Sequence, residues 1–321
     1  MLRPAGQNNK FKKLTLARPL GSLSELSTKD PFISDLAALL TGIKPVIYID
    51  YGGADWNYIK KIAAALKLRY VFPGELHPGA GNYHLRNKRK FLLLGRSAKA
   101  LAKAATAWHE SVLGLDWGIA LGYPECCVRA YLKWKTTAAP GGPDLVETEY
   151  YGTPGARAID FKLNNIYNFF SRVTEDPRDR ENYRLINAIN PEVDLPTLNI
   201  ISWHPCSYGC AASLKAGGEV FSFMSHYMPD YADHLKGILS KPVLFLGKYL
   251  FLTFTGQAHK GRIDYKGICS PRSLMSKEQI MTAVNASVPC GTSLRLEIKK
   301  AQTLYPGLKP FLLNFADKNA E

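Results

Sequence analysis

The chain has 321 residues, 46% hydrophobic and 21% charged, which is the balance of a folded protein of one large or two ordinary domains. No apolar run is long enough to span a bilayer, and the basic N-terminal residues Arg3, Lys10, Lys12 and Lys13 lead into no apolar stretch of signal-peptide type. A membrane protein is thereby excluded, the expected compartment is the cytoplasm, and the net charge of +14 favours an anionic partner.

Taken in order, residues 1–30 are basic and polar and read as a partly disordered segment. Pro45–Asp50 is a short apolar run before Gly52-Gly53 and predicts a buried strand. Asp55–Leu66 has helical spacing, Tyr70–Phe72 and Phe91–Gly95 predict two more strands, and an alanine-rich helix is expected over Ser97–His109. Strands alternating with helices make residues 31–137 an α/β region, in which the segment Leu113 to Leu121 leads to the first cysteine motif and a helix running to about Trp134. Residues 138–157 are rich in Pro and Gly and predict a loop or linker.

The remainder, 158–321, reads as an α+β region. A helix is expected over Ile159–Val173, a short strand over Pro196–Ile201, and a helix from Tyr208 to about Met228 that is interrupted at Gly217-Gly218. Pro229 opens a helix to Leu239. Val243–Leu246, Tyr249–Thr255 and Arg262–Ile268, separated by turn signals, predict an antiparallel meander. A helix over Ser276–Ala286 and strands near Leu294–Ile298 and Phe311–Phe315 complete the chain. The expected fold class is α/β (α+β): a small N-terminal α/β layer, central helices carrying cysteines, and a C-terminal antiparallel β meander.

Two short motifs carry the chemistry. The first is Gly122-Tyr123-Pro124-Glu125-Cys126-Cys127, and the second is His204-Pro205-Cys206-Ser207-Tyr208-Gly209-Cys210. Proline is favoured at the first position of a helix, so Pro124 and Pro205 predict two helix starts that face each other. Cysteines there lie beside unpaired N–H groups and the positive end of a helix dipole, which favours thiolate. Cys206 and Cys210, four apart, would share a helix face. In a reducing compartment such spacing argues for metal or thiol chemistry rather than disulfides. Cys126, Cys127, Cys206 and Cys210 are therefore candidate ligands of zinc or an iron–sulfur cluster, with the cluster slightly preferred because adjacent cysteines occur among its ligands.

His204 is placed to act as a fifth ligand or a proton donor, and Cys206 as a nucleophile. Cys269 and Cys290 read as buried core cysteines. The other histidines have simpler readings. His109 falls at a helix end, His77 and His84 bracket a glycine-containing loop, His226 and His234 are too far apart to share a ligand face, and His259 falls in a turn. No phosphate-binding loop, Gly-x-Ser-x-Gly, His-Glu-x-x-His or kinase signature is present.

The two motifs together resemble those of a family of uncharacterised archaeal and bacterial proteins, in which a Gly-Tyr-Pro-x-Cys-Cys stretch is followed by a Pro-Cys-x-x-x-Cys stretch. The similarity covers roughly residues 90–270. It implies no activity, only that the two motifs belong together.

Three functions fit the sequence. The first is an iron–sulfur or zinc enzyme performing redox or group-transfer chemistry on a small or peptide substrate of anionic character. The second is a metal-free thiol enzyme with Cys206 as nucleophile and Cys210 or Cys127 resolving it. The third is a basic nucleic-acid-binding or RNA-modifying protein with structural zinc, its contact surface the basic run Arg86–Lys103.

Overall fold

The computed structural model describes residues 33–51, 56–73, 90–111, 114–137, 143–153, 158–166, 199–247, 250–268 and 277–317. The mixed α/β class expected from the sequence is observed, with an antiparallel sheet at its C-terminal end. The expectations for residues 1–30, for His77 and His84, for Cys269 and for Arg86 to Arg89 fall outside the described residues.

The N-terminal layer is built from α1 (Ile33–Thr41), β1 (Val46–Tyr51), α2 (Trp56–Ala65), β2 (Arg69–Val71), β3 (Lys90–Gly95) and α3 (Ala98–Ser111). Its three strands run in the order β1-β3-β2, both pairs antiparallel. Successive residues of β3 pack on opposite sides. Leu92 and Leu94 join α1 and α2, whereas Leu93 joins Leu101 and Trp108 of α3. A strand covered on both faces needs apolar residues at consecutive positions, which is why Phe91–Leu94 is an unbroken apolar run. α2 closes with Lys67 in a left-handed conformation (φ 54°), a position glycine usually holds.

α4 (Leu115–Ala120) passes through a tight turn at Gly122 into α5 (Glu125–Thr137), which bears the first motif. Gly122 has φ +83°, and a Cβ there would lie 2.5 Å from the Ile43 carbonyl oxygen. The glycine of the motif therefore lets the turn press against the α1–β1 connection. Lys44 in that connection is 1% exposed, 2.8 Å from Asp35 and 3.0 Å from the Ser202 hydroxyl, with its ammonium over the Tyr123 ring. Burial works against the charge, but Asp35 and then Tyr123 outweigh it and hold its pKa above the ordinary lysine value.

α6 (Leu145–Tyr151) lies inside the stretch expected as a loop. Its signal is local: Asp144 is an N-cap whose carboxylate accepts from the Val146 amide at 2.8 Å, and Glu147 follows three residues later. The helix expected over Ile159–Val173 does not form across its described part. Ile159–Asp160 is a short strand, β4, and Phe161–Leu163 a single 3₁₀ turn. Tertiary partners override the helical period: the Ile159 amide donates to Asn314 and the Asn164 side chain donates to Leu239, while its oxygen accepts from Ile166. Residues 199–201, expected as the end of a strand, form none.

α7 (Ala211–Tyr227) begins three residues later than the sequence suggests and six after Pro205. It runs unbroken through Gly217-Gly218. Gly217 marks a crossing, where a Cβ would stand 3.3 Å from that of Lys162. α8 (Pro229–Leu239) starts at its proline as expected. The meander follows as β5 (Val243–Gly247), β6 (Leu250–His259) and β7 (Arg262–Ile268), then α9 (Lys277–Asn285), β8 (Val288–Cys290), β9 (Ser293–Glu297), α10 (Ile298–Leu304), β10 (Phe311–Leu313) and β11 (Phe315–Ala316). The sheet order is β10-β5-β6-β7-β9-β8, and β11 pairs in parallel with β4. Cys290 is half-buried and accepts from Arg295 at 2.9 Å rather than sitting in the core.

The largest apolar cluster draws Ile47 and Leu92 from the first sheet, Phe223 and Leu235 from α7 and α8, and Phe245 and Phe251 from the second sheet. Among the described residues no helix is long and apolar enough to cross a membrane. Replacing Gly122 by Ala is expected to destabilise the protein by more than about 1 kcal/mol, because the new side chain meets both an unfavourable φ and the Ile43 carbonyl. Urea unfolding of the variant against the parent measures it.

Candidate metal centre

The two motifs meet. One atom from each of Cys126, Cys127, Cys206 and Cys210 falls in a group whose members lie within 4.8 Å of one another. The Sγ atoms of Cys126 and Cys127 are 3.8 Å apart, those of Cys126 and Cys210 3.8 Å, and those of Cys127 and Cys210 3.6 Å. The adjacent pair converges because it occupies the first turn of α5. There the Cys127 and Val128 amides both donate to the Pro124 carbonyl. Cys210 is the N-cap of α7, so two helix N-termini meet at one point, the second of them six residues later than Pro205, where the sequence reading put it.

One expectation is corrected. Cys206 and Cys210 do not share a helix face, and Pro205 does not open a helix. Cys206 to Cys210 forms a turn in which the Cys210 amide donates to the Ser207 carbonyl at 3.1 Å and the Gly209 amide to the Ser207 hydroxyl. The turn is favoured because Ser207 and Gly209 offer the backbone a local alternative to helix. It swings Cys206 and Cys210 to the same side by another route. Arg129, one turn into α5, faces away from the sulfurs and pairs with Glu125 in solvent.

Burial grades across the site. Cys127 and Cys210 are buried, Cys206 is half-buried and Cys126 is exposed. Hydrogen bonds reach the sulfurs from the backbone and from a serine. The Cys206 amide donates to Cys127 Sγ at 3.3 Å, and Ser213 Oγ lies 3.2 Å from the same atom. Trp203 Nε1, which can only donate, gives its hydrogen to Ser213 Oγ at 3.0 Å. The serine hydroxyl thus keeps its own hydrogen for the neighbouring thiols of Cys127 and Cys210. Burial pushes the Cys127 thiol far up, against the pull of Ser213 and the Cys206 amide. Burial and the neighbouring thiols raise Cys206 to about 11. For Cys210 burial is outweighed by the Ser213 amide and hydroxyl together with the Cys206 and Cys127 thiols, and its pKa falls to about 7. The Cys210 thiol is therefore more acidic than that of Cys206.

His204 is buried and lies outside the sulfur group. Its Nδ1 is 2.5 Å from Glu149 Oε1 and 2.7 Å from Asn165 Nδ2. Glu149 and Asn165 are 2% and 0% exposed, and Glu149 Oε2 and Asn165 Oδ1 have no hydrogen-bond partner among the described residues. Glu149 was hidden from sequence reasoning because α6 lies in the Pro- and Gly-rich stretch. The cap formed by Asp144, followed by Glu147, was the available signal. Asn165, Ser213 and Lys44 carry no motif of their own and emerge only from packing.

The ligand loop is held to α6 through its backbone. The Tyr208 amide donates to Thr153 Oγ1 at 2.8 Å, and that hydroxyl donates to the Glu149 carbonyl at 2.7 Å. Tyr123 and Trp203, one from each motif region, pack at a centroid distance of 5.4 Å.

No family model matches the chain, and no curated protein or solved structure matches it. The four cysteines form a group that can hold a metal ion, and that conclusion rests on geometry alone.

Replacing Glu149 by Ala is expected to destabilise the fold by about 3–5 kcal/mol, the range for removing one member of a buried pair. A milder loss is expected for Glu149→Gln, which keeps an acceptor for His204. Thermal melting of both variants tests the order.

Proposed function

We infer that the four cysteines hold one tetrahedral metal ion, zinc in preference to iron–sulfur, and that the ion's role is structural. The sulfur spacing carries this reading. Four thiolates bonded to one zinc ion at about 2.3 Å, in a tetrahedron, stand about 3.8 Å apart. The measured separations are 3.6–3.8 Å among three of the cysteines, and the fourth lies within the same 4.8 Å group. A cluster interposes several iron and sulfide atoms between its ligands and needs the thiolates further apart. A complete set of four protein ligands also leaves no open position for water or substrate, which is the pattern of a structural site.

The ion would tie the start of α5 to the turn at Cys206 and the start of α7. Two negative charges remain on a divalent ion with four thiolates, and the two helix N-termini and the amide and serine donors offset them. This places the third of the sequence-based alternatives, a basic protein organised by zinc, ahead of the metal enzyme. The motif resemblance supports the same pairing, since each motif alone supplies only half the ligands.

A second reading is favoured by the exposure of Cys126, the one ligand open to solvent. A metal-bound thiolate there can attack an electrophilic carbon, forming a sulfur–carbon bond as the leaving group departs with its electron pair. That reading moves the nucleophile from Cys206 to Cys126 and leaves His204 as a group oriented by Glu149. In the metal-free alternative the nucleophile moves from Cys206 to Cys210, whose thiol is the more acidic of the two.

Metal analysis of the purified protein tests the proposal. One zinc per chain is expected, with a tetrahedral thiolate spectrum after cobalt substitution. Stoichiometric iron with acid-labile sulfide would overturn it in favour of a cluster. Metal-free protein that melts at the same temperature with and without added zinc would leave the thiol enzyme. Cys127→Ser is expected to abolish stoichiometric binding, and Ser213→Ala to weaken zinc affinity about 10–100-fold, as loss of a group bonded to a ligand does. Competition with a zinc chelator reads both. Acid is expected to release the ion, because each thiolate must be protonated as it leaves.

A further inference from the structure

We propose that the edge of the N-terminal sheet, at β2 and the ends of α2 and α3, is a binding surface for single-stranded nucleic acid. The argument is independent of the metal centre.

Charge is the first observation. Residues 56–73 and 90–109 contain no Asp or Glu. β2 is the edge strand of the sheet, and its register sets Arg69 opposite Gly95, next to Arg96. Val71 packs on the α3 side with Leu93 and Leu101, so Arg69, two residues earlier, lies on that same face. Arg69, Arg96 and Lys99 are all exposed.

Aromatic rings are the second observation. Tyr70 points to the opposite face, 41% exposed, with its ring 5.1 Å from Trp56 and 5.8 Å from Phe72. Lys60 stands over Trp56 at 5.4 Å. The edge thus offers an accessible ring on one face, with Lys60 beside its neighbour Trp56, and an exposed arginine on the other. Bases stack on such rings without regard to sequence, while the cations follow the backbone. A duplex conceals its base faces and could use only the charges, which is why the single strand is the occupant that fits. An acidic polypeptide could likewise use only the charges.

The third observation is Lys67, at the corner where α2 turns into β2. It is exposed and left-handed, at φ 54°. Glycine would close this helix with less strain, and the lysine instead adds a cation to the same edge, which is a binding reason for its presence. The favourable effect of a cation on the helix C-terminus offers a purely structural reason for the same residue. The two reasons separate experimentally.

The test measures anisotropy of a labelled mixed-sequence RNA oligonucleotide with the full-length, metal-replete protein. Binding at low salt is expected, weakening with salt at about −0.7 in log affinity per log salt for each phosphate contacted. Tyr70→Ala is expected to lower affinity about 5–100-fold, as loss of one stacked base does. Arg69→Glu with Lys99→Glu should flatten the salt dependence, and zinc content and melting temperature should stay unchanged. Lys67→Gly should raise the melting temperature while weakening binding. No binding at low salt, or equal binding of duplex or of polyglutamate, would overturn the proposal. So would unchanged affinity in both the Tyr70 and the Arg69 and Lys99 variants.

Discussion

Four thiol sulfurs held within 4.8 Å of one another constrain the rest of this molecule. As thiolates they repel, and their burial in apolar surroundings makes each charge dearer. The neighbouring residues oppose that tendency. Two helices present N-terminal ends, an amide donates to Cys127, and the Ser213 hydroxyl, which accepts from Trp203, lies against the same sulfur. These groups offset part of the cost of charge, while burial still holds Cys127 and Cys206 above the ordinary thiol value.

Placing these groups requires the backbone to arrive correctly, and the work is done away from the sulfurs. Gly122 brings the α4–α5 turn against Ile43 and Lys44. Lys44 then reaches Asp35 on α1 and Ser202 in the loop before the second motif. One buried ammonium thus spans three segments distant in sequence. Its charge is present at neutral pH. Because its folded pKa is raised, its contribution is complete below the ordinary lysine value of about 10.4 and is lost only as pH climbs beyond it. Glu149 and Thr153 hold the other flank, one through His204 and one through the Tyr208 amide.

Much of this was legible in the sequence where local rules and tertiary packing agree. The apolar runs at Val46–Ile49 and Phe91–Leu94, the meander after Pro242 and the helix at Pro229 carry their structure in their own pattern. So did the pairing of the two motifs, since four cysteines in two short stretches are a ready ligand set for one metal ion. The misreadings arise where distant partners decide. Ile159–Val173 has a helical period, but β11 captures Ile159 and Leu239 captures Asn164. Pro205 suggested a helix start, yet Ser207 and Gly209 favour a turn first. α6 was concealed by the prolines and glycines around it, and with it Glu149.

The parallel pairing of β4 with β11 has a kinetic consequence. It joins Ile159 to the strand that ends the described chain, and the sulfur group joins positions 84 apart. Each contact closes a long loop before any local reward is gained, and chains that depend on such contacts fold slowly. The two loops overlap between Ile159 and Cys210, so both long closures involve the same stretch of chain. Apolar strands that wait on such closures are open to neighbouring copies, and that is when a newly made chain is prone to aggregate.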